Sequence, residues 1–154
     1  MRAVAVLTVL LMTLGGTAHS AELKSFLPKD GLTRFIVEKF DLASIDSIVG
    51  PRLEPDKHTF AAMGFKVRKL TATEIDLADK LAHIHIRVLS RGDKNHDGLE
   101  DVLICFADET IGDGTYQTRT PYKLTRYSAD TPLIAIAAEA YSEDCEPYPA
   151  LKDR

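Results

Sequence analysis

The chain has 154 residues, with 19 basic against 23 acidic side chains, a formal net charge of −4 and no tryptophan. A mild acidic excess without a Lys/Arg run argues against nucleic acid as a partner. The length suits one domain around a single hydrophobic core.

The first twenty residues read as an export leader. Arg2 supplies a positive start, Val4 to Leu14 an apolar stretch, and Gly15-Gly16 a break. Ala18-His19-Ser20 then places small residues at −3 and −1 before Ala21. The apolar run is about eleven residues, too short to cross a bilayer, and no second run follows. Residues 21–154 are therefore expected to form a periplasmic or secreted domain that does not span a membrane. Loss of Arg2 with the leader leaves 18 basic and 23 acidic side chains, a net charge of −5.

Leu32 to Phe40 is rich in β-formers yet also fits helical spacing at Leu32, Ile36 and Phe40, so both states stay open. Leu42 to Val49 reads as a short helix stopped by Gly50-Pro51. Thr59 to Met63 reads as one helical turn, capped by Thr59 and closed by Gly64. From residue 66 onward the pattern is a β-meander. Lys66 to Leu77 is the first strand, with a turn at Asp79-Lys80. Ala82, Ile84, Ile86 and Val88 then alternate with His83, His85 and Arg87, which predicts an apolar face and a solvated polar face. Val102 to Ala107 is apolar on both faces and suits a central strand. Ile111 to Thr120 is a loop carrying Gly112 and Gly114. Tyr122 to Tyr127 and Leu133 to Ala138 form a last hairpin. The expected class is α+β: an antiparallel meander of four or five strands with one or two short helices.

The strongest chemical signal lies between the second and third meander strands, in Asp93-Lys94-Asn95-His96-Asp97-Gly98-Leu99-Glu100-Asp101. Oxygen-bearing side chains occupy loop positions 1, 3, 5 and 9, with glycine at position 6. Calcium takes six to eight hard oxygen ligands at about 2.3–2.6 Å, and a tight loop delivers them from alternate residues. Gly98 permits the reversal, and Leu99 would offer its backbone carbonyl. Two features depart from an EF-hand. Ile104 stands at position 12 in place of a bidentate Glu, and the residues that follow the loop are strand-like. The pattern resembles the calcium loops of FG-GAP and VCBS-type repeats, which feed directly into a strand. That resemblance implies Asp93, Asn95, Asp97 and Asp101 as side-chain ligands and Leu99 as a carbonyl ligand. Only one copy is present, without an internal period, so a propeller does not carry over. An affinity on the order of 10⁻⁵–10⁻³ M would suit a structural ion where calcium is abundant. The alternative is a polar turn without an ion.

The layout also resembles small exported proteobacterial proteins of unknown function, through Gly50-Pro51-Arg52, the Asn95 to Asp101 loop (with His96 inserted) and Leu124 to Tyr127. That resemblance brings no activity with it.

Cys105 and Cys145 are the only cysteines, and in an oxidising compartment they predict one bridge. The alternative for Cys105, between Ile104 and Phe106, is a small buried hydrophobe. His83 and His85 project from one face of a strand, and with His96 they offer a second metal reading, a zinc or copper site in which Glu74 or Asp76 would orient an imidazole. No G-x-S-x-G or H-E-x-x-H motif supports a hydrolase, so a non-enzymatic role is expected. Tyr116, Tyr122, Tyr127, Tyr141 and Tyr148 gather in the C-terminal third, which suits a binding surface for an envelope or extracellular partner.

Overall fold

The computed structural model describes residues 23–47, 49–50 and 53–145. The export leader, Pro51-Arg52 and Tyr148 lie outside the described residues.

Six strands form one antiparallel sheet in sequence order: β1 Lys66–Leu70, β2 Glu74–Ala78, β3 Ala82–Gly92, β4 Asp101–Thr110, β5 Gln117–Thr125 and β6 Ile134–Ala137. The fold is thus mainly β, and the α+β class holds in its coarse form with six strands where four or five were expected. The difference arises at Thr71–Thr73, which splits the first predicted strand. Thr71 Oγ1 accepts the backbone N–H of Glu74 at 2.9 Å, and the Thr71 N–H donates to the Glu74 carbonyl at 2.9 Å. A hydroxyl turn of this kind carries no Gly or Pro to announce it.

The ambiguous segment is α1, Leu32–Lys39. Leu32, Thr33, Ile36 and Val37 are its buried residues, a stripe at helical spacing that settles the choice against a strand. The hydroxyl of Thr33 donates to the Thr71 carbonyl at 2.7 Å, tying the helix to the β1–β2 turn. Phe40 ends α1 in an extended conformation and bridges in parallel to Leu133. The second predicted helix is only a 3₁₀ turn, Leu42–Ser44, which starts at Asp41 because its carboxylate accepts the Ala43 N–H. The turn after Thr59 forms as expected: the Met63 N–H reaches the Thr59 carbonyl at 3.0 Å and Gly64 closes it at φ 85°.

These elements cover one face of the sheet. Ile75, Leu77, Ile84, Ile86, Ile104, Phe106 and Leu124 meet Ile36, Phe40, Leu42 and Phe60 in the main core. The Phe40, Phe60, Phe65, Phe106 and Tyr122 rings pack edge to face, with centroids 5.7–6.3 Å apart. The opposite face was expected to be solvated but is partly covered. A kinked 3₁₀ segment, Glu139–Cys145, lies against β5 and β4. Cys145 sits at disulfide-bonding distance from Cys105, with Cα atoms 5.3 Å apart. Arg87 donates to the Asp144 carbonyl at 2.7 Å. Under this strap Cys105, Ala107 and Leu89 form a second, small apolar cluster, and Asp76 and His83 on the same face are only 4% and 9% exposed.

Candidate functional site

The Asp93–Asp101 loop joins β3 to β4, whose ends are in register at Gly92 and Asp101. Reversing the chain there requires left-handed backbone. Gly98 has φ 81°, and His96 adopts φ 62°, a conformation that costs a non-glycine residue roughly 1–2 kcal/mol. The loop meets that cost with its own side chains. The Asp93 carboxylate accepts the N–H groups of Asp97 at 3.1 Å and Gly98 at 2.9 Å. Asp97 accepts the Leu99 N–H at 2.8 Å and the Asn95 amide at 2.8 Å. Asp93, Asn95 and Asp97 are thereby drawn together on the outer side of the loop. Desolvation pushes the Asp93 carboxyl upward, but the backbone N–H groups of Gly98, His96, Asp97 and Asn95 outweigh it and hold the group below its ordinary value.

Asp101 is placed differently. It is 0% exposed and sits at the base of the loop, directly across from β5. Its Oδ1 accepts the Thr125 hydroxyl at 2.5 Å, and its Oδ2 accepts the Lys94 N–H at 3.0 Å. The Lys123 ammonium stands 3.7 Å from the same Oδ2. Asp101 is therefore a buried anchor fixing the loop to the sheet from below, as well as a candidate oxygen ligand. A second clamp acts from the side. Lys24 pairs its backbone with the loop, through its N–H to Gly98 O at 3.0 Å and its carbonyl from Glu100 N–H at 2.8 Å. Arg91 grips Glu100 through two bonds of 2.9 and 3.0 Å and also donates to Pro28 O at 2.9 Å. This hydrogen-bonded Arg91 guanidinium holds the Glu100 carboxyl below its ordinary value.

The donor chemistry suits a hard cation. Asp93 and Asp97 supply carboxylates, Asn95 an amide, and Leu99 a backbone carbonyl, all within one reversal of chain. A carboxylate has about four lone-pair sites, so the bonds to Asp93 and Asp97 leave acceptor capacity. No group of three or more His, Cys, Asp or Glu side chains is arranged as a metal cluster among the described residues, Asp93, Asp97 and Asp101 included.

The histidines do not converge. His83 lies near the start of β3 and His96 beyond its far end. At about 3.3 Å per residue the strand separates them by roughly 30 Å. His83 instead bonds Asp76 (Nε2 to Oδ1, 2.6 Å) and faces Glu109 across Nδ1 at 3.5 Å. Asp76 thus holds the imidazole of a buried His83. Burial lowers the His85 pKa, with Asp76 and Glu74 opposing that shift. Among the described tyrosines exposure differs: Tyr122 is buried against Phe106, whereas Tyr116 and Tyr127 are exposed.

Lys24, Lys123 and Thr125 were not legible as partners of the loop, because the residues they meet lie 22 or more positions away along the chain. No family model, curated protein or solved structure matches the chain. No helix among the described residues is long and apolar enough to cross a membrane.

Proposed function

We propose that the protein is an exported, non-enzymatic calcium-binding module in which the ion stiffens the β3–β4 crossover. The carrying observation is the gathering of Asp93, Asn95 and Asp97 on a loop reversed by His96 and Gly98. The loop is restrained on both flanks, by Lys24 and by the buried Asp101. Asp93, Asn95, Asp97 and Asp101 would hold the ion together with the Leu99 carbonyl. A bound cation supplies charge neutralisation and nothing redox-active.

Within the domain, the chain's own residues set how strongly the ion matters. Lys123 already offsets part of the acidic charge at Asp101, so the loop can fold before an ion arrives. An ion that prefers the folded state adds stability by mass action, about 2.7 kcal/mol at a hundred-fold excess over Kd. Export rests on the leader sequence, and the cysteine pair is consistent with an oxidising compartment. Any partner would be an envelope or extracellular molecule.

The test is thermal melting of the mature protein in EDTA, then with calcium, then with zinc. Calcium alone should raise Tm, and Asp97→Ala should lose the response while keeping the fold. An unchanged Tm at millimolar calcium removes the ion from the account. A zinc-specific rise would transfer the metal to His83 and His85.

A further inference from the structure

On the strap-bearing face of the sheet, one cross-strand row runs Ala78, His83, Glu109 and Gln117 over β2, β3, β4 and β5. The row is chemically linked. Gln117 donates to Glu109 Oε2 at 3.3 Å, Glu109 Oε1 faces His83 Nδ1 at 3.5 Å, and His83 Nε2 is held by Asp76 at 2.6 Å. Above it opens a cavity of about 580 Å³, within the 300–1,000 Å³ of ordinary small-ligand sites. Ala78 leaves one end of the row low. The opposite wall is the β4–β5 loop, packed so closely that a Cβ on Gly114 would strike the Thr110 side chain. Gly112 and Gly114 make that wall largely backbone.

Arg68, from the bulged part of the edge strand β1, reaches into the same cavity. Its guanidinium has no carboxylate partner among the described residues. Tyr116, 38% exposed, stands at the rim. The lining therefore offers an uncommitted guanidinium fork at one side and a fixed carboxylate and amide at the floor.

Each part narrows the ligand. A guanidinium matches a carboxylate through two parallel bonds. Glu109 and Gln117 supply acceptors and a donor for hydroxyl groups. An apolar ligand would strip water from the Arg68 guanidinium and the Glu109 carboxylate and offer nothing in exchange, and a dianion would be repelled by Glu109 and Asp76. We propose that this cavity binds a small polyhydroxylated monocarboxylate, a sugar acid, with Arg68 taking the carboxylate and Glu109 and Gln117 the hydroxyls. The site is separate from the β3–β4 loop and does not depend on calcium.

The experiment is calorimetric titration of the full mature chain with glucuronate, with glucose as the neutral comparator. Saturable binding of glucuronate is expected, and glucose should bind more weakly by about tenfold or more, the loss of one charge-assisted pair. Arg68→Gln should bring glucuronate down to the glucose level. Glu109→Gln should weaken both sugars, and Asp97→Ala should leave both unchanged. Melting curves of each variant establish that the fold persists. Absence of saturable heat in wild type, or glucuronate binding indifferent to both Arg68→Gln and Glu109→Gln, would overturn the proposal.

Discussion

Thr125→Val tests whether Asp101 is the buried anchor of the loop. The substitution keeps the branched shape and removes one hydroxyl. Asp101 is fully buried and its Oδ1 takes the Thr125 hydroxyl at 2.5 Å, so the loss leaves a buried carboxylate oxygen short of a donor. Hydrogen bonds to charged groups contribute about 1.5–3 kcal/mol, and the remaining Lys94 N–H and Lys123 contacts place the expected cost in the lower half, about 1.5–2 kcal/mol. For a domain of this size that corresponds to a fall in Tm of roughly 4–10 °C. The assay is urea unfolding in EDTA at neutral pH, run as a cycle with Asp101→Asn. In the asparagine background the same change should cost roughly 1 kcal/mol or less, because the charge is gone. A cost below about 0.5 kcal/mol in the wild-type background, or equal costs in both backgrounds, would refute the argument that Thr125 serves the charge on Asp101.

Two further outcomes follow from the fold. Replacing Cys105 and Cys145 together by alanine opens a loop spanning 40 positions and should lower stability by about 4 kcal/mol on the chain-entropy account; an unchanged urea midpoint would show that the strap stays docked without its link. His85 carries a pKa lowered mainly by burial, so the unfolded chain binds its proton more readily than the folded one. The stability it contributes is complete above its unfolded value near 6.5 and is lost as pH falls through the lower folded value. His85→Gln should flatten the urea midpoint against pH just below 6.5, and a slope identical to wild type would exclude His85 as its source.

Much of the sheet was legible because strand patterning is a local property. The alternation from Ala82 to Val88 located β3, and the doubly apolar Val102 to Ala107 located the central β4. Glycine at position 6 of the loop and oxygen-bearing residues at alternate positions marked the crossover. Helix α1 was not legible, since Phe35, Ile36 and Val37 favour a strand locally while burial at Leu32, Thr33, Ile36 and Val37 favours a helix. The Thr71–Thr73 turn escaped notice because hydroxyls, not glycine or proline, make it.

The sequence by itself determined most of the chain reversals, though not the one at Thr71–Thr73, which strands are central, and that the two cysteines are the pair available to each other. It also fixed the alternate spacing of the oxygen-bearing residues in the Asp93–Asp101 loop, because that spacing depends only on near neighbours. Tertiary structure alone decided which way those donors face. Asp101 turns to Thr125 and Lys123 because β5 pairs with β4 in that register. It also decided that His83 meets Asp76 and Glu109 and not His96, since an extended strand holds its two ends roughly 30 Å apart. The polar face of β3 is sheltered for the same kind of reason: Cys145 reaches back across 40 positions to Cys105, and no local pattern in either segment specifies that contact.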